Sequence, residues 1–228
     1  MFRYCILTIN ILVFTPIFSA LIILVGIFDK TKVQTNKLVK LWSRVILRLT
    51  NITYTIDGIE KINNDNQYII ISNHHSIVDI LITFALLPLS ISFFTKKELF
   101  RIPLFGCAMK LAGMVPVDRF NKNKSKKSVN YAADKLAKTN ISILNYPEGS
   151  RMPIGKLGDF KKGGFILAIE SKIPILPITL IYKKNMLYNK IRLVVDNPID
   201  TLNYNVSERN ILLNNVRNII KSNLLFNE

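Results

Sequence analysis

Both histidines of the 228-residue chain stand side by side in the stretch Ile71 to Ile80 (ISNHHSIVDI), with one carboxylate, Asp79, just downstream. Imidazole is the side chain best suited to take and return a proton near neutral pH. A carboxylate that receives one ring N–H leaves the other nitrogen basic and fixed in direction. This is the orienting half of a Ser-His-Asp device, with a substrate hydroxyl in place of serine. Its feasibility depends on where the helix begins, because on a continuous helix residues five apart point about 140° away from each other. Ser76-Ile77-Val78-Asp79 has the S-x-x-D form of a capping box, which starts a helix at Ser76 and leaves His74 in the turn ahead of it. Two other uses of these residues stand beside the dyad: Asp79 as a cap bonded to the Ser76 amide, and His75, four residues before it, as its partner. A metal site from His74, His75 and Asp79 is disfavoured, since adjacent histidines point apart and the chain holds no third.

The elements that must hold this turn alternate short β-branched runs with amphipathic stretches, as α/β domains do. The spacing predicts strands at Tyr68 to Ser72, Ile91 to Thr95, Met114 to Val117, Ile141 to Tyr146, Ile175 to Ile181 and Ile191 to Val195. Helices are predicted at Ser76 to Leu87, Ser125 to Lys138, Gly164 to Glu170 and Ser207 to Leu225. For the last, Ser207 is the expected N-cap, with Ile211, Leu212, Val216, Ile219 and Ile220 as the apolar face. The expected fold is α/β, a mostly β central sheet flanked by helices over residues 51–228, preceded by a membrane-associated helical segment in residues 1–50.

That segment opens with Cys5 to Phe28, an uncharged apolar run. It would be roughly 36 Å long as a helix, against a hydrocarbon core of about 30 Å. It is too long for a signal-peptide core and no small-x-small cleavage site follows. Pro16 and the basic flank admit a helical hairpin dipping into one leaflet as well as a spanning helix. Lys30, Lys32, Lys37, Lys40, Arg44 and Arg48 follow the run and only Arg3 precedes it. The positive-inside rule therefore puts the body of the protein on the cytoplasmic side of an inner membrane. Within Val33 to Leu49, Leu38, Leu41, Trp42, Val45, Ile46 and Leu49 recur at helical spacing, with Lys37, Lys40, Arg44 and Arg48 on another face. That pattern serves an interfacial helix on anionic lipid and an ordinary surface helix equally. With 31 Lys+Arg against 15 Asp+Glu, the formal charge is +16, which favours phosphate-bearing or otherwise acidic partners. The cations are not interleaved with an aromatic stacking motif, which argues against nucleic acid. The two cysteines form no CxxC and suit a reducing compartment.

Four ordered blocks resemble the glycerolipid acyltransferase family, in particular its lysophosphatidic acid acyltransferases. Asn73-His74-His75-Ser76-Ile77-Val78-Asp79 is similar to the NHxSxxD signature. Lys96-Lys97-Glu98-Leu99, Ile102-Pro103-Leu104-Phe105-Gly106 and Val117-Asp118-Arg119 resemble the second block. Tyr146-Pro147-Glu148-Gly149-Ser150-Arg151, followed by Phe160-Lys161-Lys162-Gly163, resembles the third, usually FPEGTR, and Ile173-Pro174-Ile175-Leu176-Pro177-Ile178 the fourth. His75 stands where glutamine is usual, Tyr146 for phenylalanine and Ser150 for threonine. The resemblance implies acyl transfer from acyl-CoA or acyl-carrier protein to the sn-2 hydroxyl of 1-acyl-glycerol-3-phosphate, a membrane lysolipid, giving phosphatidic acid without metal or cofactor. It implies His74 as base, Asp79 as its orienter, and Lys96, Arg119, Glu148, Gly149, Ser150 and Arg151 around the phosphorylated substrate. Here Glu148 orders the loop, Gly149 permits close backbone approach and Arg151 supplies a planar fork. The block from Ile173 to Pro177 implies two prolines that fix the start of a strand, beside the acyl channel. Acylation of another lysolipid, hydrolysis of a lipid or thioester, and a basic membrane-tethered binding protein are the competing readings.

Overall fold

The computed structural model describes residues 2–117, 131–134, 136–182 and 190–225. The chain starts with two antiparallel helices, α1 (Phe2–Gly26) and α2 (Val33–Leu49). β1 (Thr53–Asp57), β2 (Ile69–Ser72), α3 (Val78–Leu86), β3 (Ile91–Lys96), α4 (Phe105–Leu111) and β4 (Val115–Val117) follow. Beyond β5 (Ser142–Asn145) come α5 (Gly163–Ser171), β6 (Ile175–Tyr182), β7 (Lys190–Val195) and α6 (Arg209–Leu225). Residues 131–134 and 136–138 are helical, and the rest of the helix expected from Ser125 lies outside the described residues.

The strands form one seven-stranded sheet in the order β1-β7-β6-β2-β5-β3-β4. Every pairing is parallel except β6 with β7. β2, β3, β4, β5 and β6 therefore all end at one edge of the sheet, where α/β proteins place their sites. This is the expected α/β architecture. The central strand β2 reads Ile-Ile-Ile-Ser and is wholly buried, as strands covered on both faces do. Alternation sends Ile70 to a core shared with α1 to α4, and Ile69 and Ile71 to one shared with α5 and α6. α5 lies so close to the sheet that a Cβ on Gly164 would stand 2.1 Å from Asn145 Nδ2 and 3.3 Å from Ile71 Cδ1.

Three expectations are corrected. β1 was not anticipated, because Thr-Tyr-Thr-Ile-Asp is a half-exposed edge strand without an apolar run. Asn205, not Ser207, caps the last helix. Its side chain accepts from Ser207 N at 3.0 Å while Glu208 accepts from Asn205 N at 3.0 Å, a capping box on the short turn before Arg209. α6 then buries Leu212, Leu213, Val216 and Ile220 and leaves Ile211 exposed.

α2 buries Thr35, Asn36, Val39, Ser43, Ile46 and Leu47, a face rotated from the stripe its apolar residues mark: of that stripe Ile46 is buried, Leu38 and Trp42 pack partly against the core, and Leu41 and Leu49 are exposed. Most of the buried polar groups find partners in place, though Asn36 Nδ2 has none among the described residues. Ser43 donates to Val39 O at 3.0 Å, and Asn36 Oδ1 accepts from Ile91 N at 2.7 Å, fixing the start of β3. Asp29 closes the turn between the two helices by accepting from Thr35 N and Thr35 Oγ1 at 2.8 and 3.0 Å. Arg44 donates to Ala85 O at 3.1 Å, a cation at the carboxyl end of α3.

Candidate active site

The loop after β2 brings the pair together. His74 lies outside the helix, its Nδ1 2.8 Å from Asp79 Oδ2. Asp79 sits in the first turn of α3 and is fully buried, whereas the His74 side chain keeps 12% of its surface exposed. The same Oδ2 accepts from His75 N at 2.6 Å and Ser76 N at 2.8 Å, and Oδ1 accepts from the Tyr182 hydroxyl at the end of β6. Capping and the dyad therefore share one oxygen rather than compete. With Nδ1–H held by a carboxylate, His74 Nε2 carries the lone pair. Among the described residues nothing hydrogen-bonds that nitrogen.

His75 is buried and engaged at both nitrogens. Nδ1 donates to Met152 O at 3.1 Å, and Nε2 accepts from Asn73 Nδ2 at 2.9 Å. The Asn73 amide cannot turn over, since it also donates to Leu180 O and accepts from Leu180 N, both at 2.8 Å. The first imidazole is thus left available as a base and the second is a tie between the loops after β2 and β5.

Glu148 follows β5 and orders both loops. Oε1 accepts from His74 N at 3.0 Å and Oε2 from Gly158 N at 3.1 Å, while Met152 N donates to His74 O at 2.8 Å. Burial pushes the Glu148 carboxyl above its ordinary range, with the two amide bonds opposing the shift. Tyr146 supplies a platform, its ring stacked on His74 with centroids 4.2 Å apart. Gly149 has φ +75°, a conformation that L side chains rarely adopt, which is why glycine suits the turn, and the Lys161 side chain lies against it.

Ser150 and Arg151 are exposed beyond that turn, and Lys96 is exposed at the end of β3 on the same edge of the sheet. Lys96 pairs with Val117, and Arg119 lies outside the described residues. No metal-binding group of three or more His, Cys, Asp or Glu occurs among the described residues.

Beside this edge a cavity of about 460 Å³ runs between α1, α2, α3, α4 and β3. Phe84, Phe93 and Met109 are among its lining, and Arg151, Ile77 and Leu104 are exposed at its rim. Leu104, at φ 63° and ψ −60°, centres the rare, strained γ-turn, closed by Phe105 N donating to Pro103 O at 2.6 Å. Ile173 to Pro177 do not line this cavity; they lead into β6 at its opposite end from Tyr182.

Residues 53–181 match the family described as Acyltransferase, and the chain belongs to that family. It is 33% identical over 156 residues to a chloroplastic 1-acyl-sn-glycerol-3-phosphate acyltransferase of Brassica napus, an overlap covering 68% of this chain and 44% of that protein. With the 1-acyl-sn-glycerol-3-phosphate acyltransferase of Pseudomonas aeruginosa it shares 30% identity over 141 residues, 60% of this chain and 54% of that one. The chain spans about half the length of the curated relatives it matches. Its fold is that of the 1-acyl-sn-glycerophosphate (LPA) acyltransferase PlsC from Thermotoga maritima, with a TM-score of 0.79, 19% identity, and coverage of 98% of this chain and 93% of that one.

The sequence missed Tyr182, Tyr146 as a ring platform, and the Asn73–Leu180 lock. Tyr182 ends an eight-residue buried strand at the carboxyl edge, and that ending was the available signal.

Proposed function

We propose that this chain transfers a fatty acyl group from a thioester, acyl-CoA or acyl-carrier protein, to the sn-2 hydroxyl of 1-acyl-glycerol-3-phosphate, giving phosphatidic acid. The observation that carries the reading is the His74 Nδ1 to Asp79 Oδ2 bond of 2.8 Å, which turns the second ring nitrogen into a directed base next to an apolar cavity. His74 Nε2 takes the hydroxyl proton as the oxygen attacks the thioester carbonyl. The tetrahedral intermediate collapses by breaking the C–S bond, and the departing sulfur takes the proton back from the imidazolium. Proton transfer of this kind is worth about 10²- to 10⁴-fold in rate. Asp79 holds the tautomer and stabilises the imidazolium.

Arg151 at the cavity rim, with Lys96 and Arg119, binds the phosphate; the fork of a guanidinium matches two phosphate oxygens. The cavity takes the acyl chain. No cofactor or metal enters the step.

The acceptor is a membrane lipid, and α1 carries Ile9, Val13, Ile17, Leu21 and Leu24 exposed along its length, with Phe28 exposed just beyond its end. The helix is long and apolar enough to cross a membrane. Its other face packs on α2 and α4, which favours a hairpin entering one leaflet over an isolated spanning helix. Exposed Lys37, Arg44 and Arg48 then meet anionic head groups on the cytoplasmic side, each cation adding about 1 kcal/mol.

The test compares wild type and His74→Ala in membranes, with labelled oleoyl-CoA or oleoyl-carrier protein and lysophosphatidic acid, following phosphatidic acid. Product from wild type and none from the variant is expected. Thioester consumed without lysophosphatidic acid would instead identify a hydrolase.

A further inference from the structure

The proposed reaction gives Tyr146 no part, yet its ring covers one face of the His74 imidazole. The two rings stack with centroids 4.2 Å apart and planes 18° from parallel. The sheet itself sets this stack. Tyr146 follows β5 and His74 lies just beyond β2, and those strands are paired neighbours, with Ile71 opposite Asn145.

An aromatic face carries negative potential, so a ring stacked on it is held more strongly as a cation than as a neutral group. His74 passes between those two states in the reaction, neutral before it takes the hydroxyl proton and an imidazolium after. Little water can reach that cation, because the His74 side chain keeps only 12% of its surface exposed. Asp79 meets it in the ring plane, through Nδ1 at 2.8 Å, and Nε2 holds the transferred proton. The charge spread over the ring therefore faces what lies above and below the plane, and one of those sides is Tyr146. Burial first, and the nearby Asp79 charge second, push the ionisation of the Tyr146 hydroxyl well above its ordinary range. His74 thus meets the face of a neutral phenol, and the contact does not depend on the hydroxyl.

We propose that Tyr146 is a positioning residue for the proton transfer, its ring face stabilising the His74 imidazolium more than the resting imidazole and so lowering the barrier. The inference rests on His74 being the base of the reaction proposed above.

The experiment varies the potential of the ring face while holding its shape. Position 146 is filled with phenylalanine and, by amber suppression, with phenylalanines carrying one, two or three ring fluorines, which withdraw density from the face and alter its size little. Tyr146→Leu removes the face altogether. Thiol release from oleoyl-CoA or oleoyl-carrier protein and formation of phosphatidic acid are both followed at pH 8, above the ordinary imidazole range. The unfolding temperature of each protein is measured alongside. Tyr146→Phe keeps the stack and should retain most of the wild-type kcat. From that reference kcat should fall stepwise with each fluorine, at constant KM for both substrates and constant unfolding temperature. Tyr146→Leu should lose about 5- to 30-fold in kcat, the range expected for a desolvated cation on an aromatic face. The proposal is overturned if the fluorinated series stays level with Tyr146→Phe, if the loss appears in KM rather than kcat, or if Tyr146→Leu matches wild type. His74→Ala separates this inference from the reaction it rests on. If that variant stays active, or if no turnover depends on His74, both fall. If it is inactive and the fluorinated series is level, only the role of Tyr146 falls. A fluorine trend in thiol release without phosphatidic acid would uphold the role of Tyr146 and overturn the acceptor.

Discussion

Replacing His75 tests the idea that the second imidazole is a tie and not a base. From sequence alone His75→Ala is expected to leave most activity. The structure changes that expectation, because the ring is buried with both nitrogens bonded, to Met152 O at 3.1 Å and Asn73 Nδ2 at 2.9 Å, and stands edge-on to Tyr182 at 5.6 Å. Alanine removes both bonds. Asn73 Nδ2 keeps Leu180 O, so the unpaired cost falls mainly on Met152 O at about 1–3 kcal/mol, with about 0.5–1.5 kcal/mol more for the aromatic contact. The expected loss is about 2–4 kcal/mol of stability. Glutamine can accept from Asn73 with its oxygen and donate to Met152 with its nitrogen, so His75→Gln should lose only about 1 kcal/mol, the ring contact alone. Because Met152 follows Arg151 directly, loosening it should also raise KM for lysophosphatidic acid by about tenfold in the alanine variant, equivalent to about 1.4 kcal/mol, and leave kcat nearly intact. Thermal unfolding and steady-state kinetics of the three proteins decide the matter. An alanine variant with wild-type unfolding temperature and KM, or a glutamine variant as impaired as alanine, would refute the reasoning.

Asp79→Asn should cut kcat by roughly 10³- to 10⁴-fold, since an amide presents a donor where the site supplies only donors and loses the His74 tautomer; retained activity would remove Asp79 from the mechanism. Tyr182→Phe removes the donor to Asp79 Oδ1, and kcat should fall several-fold at unchanged KM while stability drops by about 1.5–3 kcal/mol. Gly106→Ala places a Cβ 2.2 Å from the Phe100 carbonyl oxygen, so overpacking of about 1–3 kcal/mol should outweigh a helix gain of at most about 1 kcal/mol and lower the unfolding temperature. Burial raises the Glu148 carboxyl, so the folded state takes up a proton more readily than the unfolded chain. Stability from this group is therefore lost as pH rises through the raised value. Wild type should gain on Glu148→Gln as pH falls from neutrality toward the ordinary carboxylate range, and a pH-independent difference in unfolding temperature would contradict it.

The dyad was legible because it is local. A tight turn and a capping box within seven residues fix where His74 and Asp79 point, whatever the sheet does. The anticipated strands include those whose runs are wholly buried, β2 and β6. What stayed hidden depends on strand order. Tyr182 reaches Asp79 and Leu180 locks Asn73 only because β6 is the neighbour of β2, a pairing between segments more than a hundred residues apart. The face of α2 was misread for a related reason. Apolar spacing marks Leu41 and Leu49 along with the buried Ile46, yet the helix turns Thr35, Asn36 and Ser43 inward, where Asp29, Ile91 N and the Val39 carbonyl meet Thr35, Asn36 Oδ1 and Ser43.

That inversion leads to the logic of the whole arrangement. In the proposed reaction a base that acts on a lipid hydroxyl needs a fixed direction, which comes from a sheet edge where β2, β5 and β6 end together. It also needs an apolar approach, which an open α/β sheet lacks on its own. Here α1 and α2 supply it by covering one sheet face with a hairpin whose inward side joins the core and whose outward side stays apolar and cationic. The bonds that orient His74 all lie at or after Asn73, whereas Ile11, Phe18, Ile22, Val39 and Trp42 of α1 and α2 form one wall of the cavity. If the cavity holds the acyl chain, as proposed, the orientation of the base and the fit of that chain are carried by different parts of the protein, and substitutions at Ile11, Phe18 or Ile22 should change which chains are used before they change how the proton moves.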